Sequence, residues 1–428
     1  MKRLGSLLIF LAVINTIGLW ILSKPNAGQI FAQPFRSIGQ ITGLLGAILI
    51  SIQFILASRF GFLEKFFGSL DRVYRVHVLT GSLAFLVMLN HPLFLAMNVL
   101  PSAKASLIYF LPSKNLAYTL GVLALYLFAM LLIFTLFIRL PYHIWKFSHA
   151  MNVVPLGIIL FHMMYIPSDI SSFLPLRYWI IGSAIIALAT YGYRRLLYPY
   201  FGPRYEYEIS RISQLGNVVE LELAPLAKSV EYLPGQFVFL SVRDKLFSSE
   251  EHPFSLSSSP GEKNLRVSIK ASGDYTSKMG RLREGTRVSI MGPYGGFAER
   301  SLSRAGDDIW IAGGIGVTPF LSLLKYYLRH GTKKHIWFFY SGKGEAEVKY
   351  ISDLNEMVKD FPNIQVISRS SKEQGRLNAR IVADTVAGIG SKQILLCGPV
   401  LMMEDLTNQF LTIGVHPRNI FFENFNFV

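Results

Sequence analysis

Six stretches of the chain are apolar over a spanning length, at roughly 4–23, 38–58, 73–98, 116–138, 144–166 and 178–198. A helix that rises about 1.5 Å per residue needs about 20 apolar residues to cross a hydrocarbon core. Each stretch therefore predicts a membrane helix. The first follows Lys2 and Arg3, as a secretion signal would. Its apolar run is long for a signal and no small-residue cleavage site follows, so it is read as an uncleaved span.

From about residue 204 the pattern changes. Segments 205–212, 218–223 and 265–270 alternate or are rich in β-branched residues, and turns separate them. They predict a small antiparallel barrel. An α/β alternation follows: a buried strand at 308–311, a glycine-rich turn, a helix over 319–330, and strands at 335–340 and 393–396. The expected fold is thus a six-span helical bundle, 1–200, followed by an antiparallel β-barrel domain, 204–300, and an α/β nucleotide-binding domain, 305–428.

Composition sharpens this picture. The chain has 428 residues, 51% hydrophobic and only 16% charged, too apolar for an ordinary soluble protein. The net charge of +15 is dispersed, with no long basic run, which argues against nucleic acid and for basic loops and pockets for anionic cofactors. Lys2 and Arg3, then Arg59, Lys65, Arg72 and Arg75, then Arg139 and Lys146, then Arg194, Arg195 and Arg204 all fall on one side of the spans, while the other side holds only Lys24, Arg36, Lys104, Lys114 and Arg177. The bias of such charges to the inside predicts both termini in the cytoplasm of a plasma-membrane protein. The single cysteine, Cys397, excludes internal disulfides, thiolate metal clusters and covalent haem attachment.

Ionisable residues inside spans mark function. His77 and His91 lie fourteen residues apart on the third span, and His149 and His162 thirteen apart on the fifth. Fourteen residues are close to four turns. Thirteen are about 3.6 turns and are taken as still aligned. Both spans run in the same direction, so His77 is expected to face His149 near the inner surface and His91 to face His162 near the outer one. The blander reading is hydrogen bonding between helices. Two matched pairs at matched depth point instead to two b-type haems, each held between two imidazoles, stacked about 20 Å apart. No carboxylate or thiol joins either pair, which disfavours zinc. Arg72 and Arg75, near His77, are candidates for the propionates and equally for ordinary inner-face charges.

In the α/β region, Gly313, Gly314 and Gly316 open the helix with Thr318 and Pro319. Such a turn lets backbone approach a pyrophosphate, though it also serves as a tight connection.

Taken together, the four histidines at these spacings, the His252-Pro253-Phe254-Ser255 segment, the glycine turn and Cys397-Gly398-Pro399 resemble the NADPH oxidase and ferric reductase superfamily. The resemblance covers nearly the whole chain. The compact arrangement, with no calcium-binding extension before the first span, is similar to bacterial-type members. It implies transfer of hydride from NADPH or NADH to FAD, then of electrons through two haems to an external acceptor. O2 giving superoxide is the expected acceptor. Alternatives are a ferric chelate or a periplasmic protein served by a cytochrome b subunit. No obligate protein partner is evident.

Position by position, the resemblance implies that His252, Pro253, Phe254 and Ser255 lie along the flavin. Lys270 and the Gly273–Thr276 loop follow near its pyrophosphate. Gly313, Gly314, Gly316, Thr318 and Pro319 hold the nicotinamide nucleotide. Cys397, with Gly398, sits beside the nicotinamide, and Phe427 stacks on the flavin until nicotinamide displaces it. Cys397 is otherwise a small buried hydrophobe, and Phe427 otherwise part of an edge strand. Tyr340-Ser341, Ser368-Arg369 and Arg376 are candidates for the adenosine ribose or a 2′-phosphate, which favours NADPH.

Overall fold

The computed structural model describes residues 4–248, 250–342 and 345–423. It divides into two compact units, Met1–Gly202 and Pro203–Val428.

The first unit carries six candidate membrane spans among the described residues. Helices α1 (Leu4–Leu22), α2 (Pro34–Leu56), α3 (Leu70–Met97) and α4 (Leu116–Leu136) form the first four. The fifth is broken into α5 (Tyr142–Ala150) and α6 (Val153–Tyr165), and α7 (Leu174–Gly192) leads the sixth. The alignment expected of the fifth span runs through this break and not through a straight helix. Thirteen residues of straight helix turn about 1300°, roughly 140° short of four turns, so an unbroken helix would point His149 and His162 to different sides.

Helix α2 packs on α3 through small residues. A Cβ added at Gly39, Gly43 or Gly46 would come within 2.8 Å of Leu95, 2.5 Å of His91 or 2.3 Å of Met88. These glycines share one helix face at a four- and three-residue spacing. Lipid offers no hydrophobic drive to pair helices, so close backbone approach supplies the contact.

The second unit begins with a six-stranded antiparallel sheet. Its strands are β1 (Tyr205–Leu215), β2 (Val218–Pro225), β3 (Phe237–Val242), β4 (His252–Ser255), β5 (Leu265–Lys270) and β6 (Arg287–Tyr294). The order is β4-β3-β6-β1-β2-β5, and a single bridge between Leu256 and Val267 draws the two edges together. The curled sheet encloses Tyr207, Leu221, Leu240, Val267 and Ile290, all fully buried.

A five-stranded parallel sheet follows: β7 (Asp308–Gly313), β8 (Ile336–Gly342), β9 (Ile364–Ser370), β10 (Gln393–Cys397) and β11 (Ile420–Phe422). The order β11-β10-β7-β8-β9 places the reversal of strand order between β7 and β10. Ligands of open α/β sheets bind in the crevice at such a switch point. Helix α8 (Thr318–His330) leaves β7 beside it, burying Phe320, Leu323 and Leu324 on one side. The expected six apolar spans, the curled antiparallel sheet and the α/β fold after it are borne out.

Candidate functional site

Three of the four paired histidines, His91, His149 and His162, are held in a common way, whereas His77 Nδ1 is buried with no hydrogen-bond partner among the described residues. His91 Nδ1 lies 2.6 Å from the Gly39 carbonyl oxygen, and His162 Nδ1 lies 2.7 Å from that of Ala117. A carbonyl only accepts, so each Nδ1 carries the proton and each Nε2 keeps its lone pair. His149 Nδ1 is 3.3 Å from Thr135 Oγ1, whose own proton goes to the Leu131 carbonyl at 2.8 Å. The same tautomer follows there. Metal-ligating histidines are ordinarily oriented through their other nitrogen in this manner.

The neighbours confine the rings as well. A Cβ at Gly43 would stand 2.5 Å from His91 Nδ1, and one at Gly121 2.9 Å from His162 Cε1. Trp145 stacks on His149 at 5.4 Å between ring centres. His77 and His149 face each other with ring centres 6.0 Å apart. Metal–imidazole bonds of about 2.0–2.1 Å on both sides of one ion would set ring centres roughly 6 Å apart, so this pair has the separation that a shared metal-centred group would need. Arg75 is paired with Asp71 at 2.9 Å.

In the second unit, His252, Pro253, Phe254 and Ser255 form β4, paired with β3. The His252 ring packs on Tyr275 at 3.8 Å between centres, and its Nε2 lies 3.4 Å from Glu250. Phe254 is half-buried against the barrel core. Lys270 ends β5. In the loop beyond, Thr276 Oγ1 accepts from the Ser272 and Gly273 N–H groups, both at 3.0 Å, and so shapes the turn itself.

At the switch point the glycines serve close packing. A Cβ at Gly316 would meet the Cys397 carbonyl at 2.3 Å, and one at Gly313 the Met402 sulfur at 2.6 Å. Gly398 is equally tight, with Gly313 Cα 3.1 Å from where its Cβ would stand. The turn after β7 and the turn after β10 thus touch backbone to backbone, and Cys397 pairs with Ala312 in the sheet. Thr318 donates its hydroxyl proton to the Ile315 carbonyl at 3.0 Å and is buried with Pro319. Tyr340 pairs with Ser368, and Ser341 with Arg369, at the ends of β8 and β9. The Arg369 side chain already donates to the Gly375 and Gln374 carbonyls, while Arg376 is exposed. Phe427 lies outside the described residues.

Two residues at this crevice escaped the sequence reading. Glu423 is wholly buried, and its Oε1 accepts from the Gly296 N–H at 3.0 Å. Burial, and then the charge of Glu423, push the Cys397 thiol above its ordinary value, so the thiol stays protonated. Lys325 donates to the Ser257 carbonyl at 2.9 Å, and Ser322 to the Ser258 carbonyl at 2.5 Å, tying α8 to the segment after β4. Burial lowers the Lys325 pKa. The signal for Glu423 was a lone charge directly after the buried strand 420–422. Lys325 gave none, since a lysine in an amphipathic helix reads as solvated.

Three family models match in succession. Residues 42–161 match a ferric reductase like transmembrane component, 206–298 an FAD-binding domain, and 310–408 an oxidoreductase NAD-binding domain. This is the NADPH oxidase/ferric reductase-like flavocytochrome architecture.

Among curated relatives, this flavocytochrome-like chain is similar to sulfhydrogenase 2 subunit gamma of Pyrococcus furiosus, at 26% identity over 46% of this chain and 73% of that one. It is also similar to the reductase component of propane 2-monooxygenase of Mycolicibacterium goodii, at 27% over 49% of this chain and 64% of that one. In flavohemoprotein A of Dictyostelium discoideum it spans 58% of the length, at 23% identity. The structure of a flavohemoglobin from Malassezia yamatoensis matches with a TM-score of 0.52 and 17% identity, over 93% of this chain and 97% of that one. That likeness concerns the fold. The chain is an NAD(P)H oxidoreductase with an FAD-binding domain and a membrane-embedded ferric reductase-like component.

Proposed function

We propose that this protein moves electrons across a plasma membrane, from NAD(P)H on the cytoplasmic side to O2 on the other. The observation that carries the reading is the facing pair His77 and His149, 6.0 Å apart, on the same chain as the flavin and nicotinamide domains. His77 and His149 would hold one haem, and His91 and His162 the second. FAD would lie along His252–Ser255 and the loop from Gly273 to Thr276, and NADPH at Gly313–Pro319 with Cys397 and Gly398. When bound, these groups supply hydride acceptance and single-electron carriage.

The chain's own residues do the positioning. Gly39 and Ala117 carbonyls and the Thr135 hydroxyl keep protons on the Nδ1 atoms and leave the Nε2 atoms as ligands. The Gly316–Cys397 backbone contact fixes the end of β10, where the Cys397 thiol is buried and neutral. A protonated thiol shapes and fills this site without acting as a nucleophile. Lys325 and Ser322 fix the segment after β4 against α8. Phe427, in this reading, covers the flavin and yields to nicotinamide.

The test is an anaerobic visible spectrum of the detergent-purified protein with FAD and NADPH, repeated after admitting air. A b-type reduced spectrum that fades rapidly in air with superoxide release supports the oxidase. Reduced haem that persists in air and is bleached by a ferric chelate favours a reductase. His77→Ala is expected to remove one haem of two. No haem bands in the parent protein would sink the reading.

A further inference from the structure

The fourteen residues between His77 and His91 suit a straight helix, being about 40° short of four turns. The thirteen between His149 and His162 do not, being about 140° short. Yet both His149 and His162 turn their Nδ1 atoms to the same neighbour, α4: His149 to Thr135 at 3.3 Å and His162 to Ala117 at 2.7 Å. Something between them supplies the missing rotation.

The break at Met151 and Asn152 has the geometry to do so. Their ψ angles are −9° and −13°, against about −42° in an α-helix. The Asn152 N–H donates to the His149 carbonyl at 3.2 Å, and the Val154 N–H to that of Met151 at 2.9 Å, both three residues back. Such 3₁₀ bonding turns about 120° per residue in place of about 100°. The two bonds enclose four residues, Ala150 to Val153, which at that pitch recover about 80° of the shortfall and leave about 60°.

Two side chains hold the break. Pro155 has no N–H and crowds the carbonyl of Met151, so the α pattern cannot pass through this point. Asn152 is buried, and its Nδ2 donates to the His149 carbonyl at 2.8 Å. The clamp therefore grips the backbone of the very residue whose ring it orients.

We infer that Asn152 and Pro155 are positioning residues that over-wind the fifth span, so that His149 and His162 share a face despite their thirteen-residue spacing. The consequence for haem rests on the proposed function, but the rotation itself does not.

The decisive experiment uses the full-length chain with both substitutions, Asn152→Ala and Pro155→Ala. Haem per chain, read by pyridine haemochrome, is expected to fall from two to one, and a redox titration to lose one of its two steps. Inserting one alanine after Val154 in this double variant restores a fourteen-residue spacing, and with it both haems. Two haems with unchanged midpoint potentials in the double variant would overturn the inference. So would a loss that the insertion fails to rescue, since Asn152 and Pro155 would then act on stability alone.

If the parent chain holds no haem, the proposed function fails and the rotation is read without it. The paired substitutions Thr135→Cys with His149→Cys, and Ala117→Cys with His162→Cys, are expected to cross-link through a short bis-thiol reagent in an otherwise parent background. With Asn152→Ala and Pro155→Ala added, one of the two pairs is expected to stop linking. Continued linking of both pairs would refute the over-winding.

Discussion

Both units bury large apolar side chains, but the membrane unit also leaves many of them outside. In the C-terminal unit Trp310, Phe320 and Leu323 are wholly buried, while in the membrane unit Leu79 is 71% exposed and Phe137 74%. Along α2 the membrane unit buries Ser37, Gly39, Gly46, Ala47 and Ser51 beside Leu44, Ile48, Leu49, Ile50 and Leu56, so small residues share its inside with large ones. In water, burial of apolar area drives packing, so hydrophobicity marks the inside. In lipid, hydrophobicity marks membership of a span on either face, and glycine, serine and histidine are what single out the inside.

The largest effect that would test this contrast is in the parallel sheet. Trp310 packs on Phe320, Tyr327 and Phe338 and is wholly buried. Trp310→Ala is expected to cost about 3–5 kcal/mol and to leave NAD(P)H oxidation heat-labile while the apolar spans still insert. Thermal inactivation of NAD(P)H–ferricyanide turnover measures it. Unchanged lability would show that this core does not govern the unit's stability.

Next in size is Gly316→Ala. Its Cβ would stand 2.3 Å from the Cys397 carbonyl, an atom of the backbone that has no rotamer to yield. Separating the two turns is expected to cost about 1–3 kcal/mol and to reduce NADPH turnover more than the FAD content of the purified protein. Equal losses of both would mean that the glycine serves the fold and not the crevice.

How much of this was legible in the sequence follows from the same contrast. The spans were, because crossing lipid demands about 20 apolar residues and few other folds supply them. The parallel sheet was, because buried strands and a glycine turn keep short-range signatures. The packing face of α2 was not read, although Gly39, Gly43 and Gly46 carry it at helical spacing. Their meaning depends on what stands opposite, His91 and Leu95, some fifty residues away. The alignment of His149 and His162 was expected on a loose count of turns, and the break that carries it was not read, although Pro155 stood in the sequence as its sign. Glu423 reaches Gly296 only through tertiary folding, and no local pattern announces that partner.

A smaller and purely chemical effect concerns Cys397, the sole cysteine. Its thiol is pushed above the ordinary value by burial and then by Glu423. An unfolded chain releases this proton near pH 8.5, whereas the folded one retains it. The stabilising difference is therefore complete below about pH 8.5 and erodes as pH rises beyond it. Native protein at pH 9 is expected to react with iodoacetamide at least roughly 100-fold more slowly than after denaturation. Labelling at the same rate in both states would show that the thiol is reachable.

The smallest effect is the sharpest test of the contrast. Leu79 lies two residues beyond His77 on α3 and points outward. By hydropathy it is as good a core residue as Leu323. If the outward face meets lipid, Leu79→Ala exchanges one apolar surface for another, with no cavity left behind. Its cost is then within about 0.5 kcal/mol, against about 2–5 kcal/mol for Leu323→Ala. The comparison needs one assay for both, such as the temperature at which detergent-solubilised protein loses its monodisperse elution. A cost for Leu79→Ala equal to that of Leu323→Ala would mean that another chain or helix covers this face, and the inside-out reading of the membrane unit would then hold only for part of its surface.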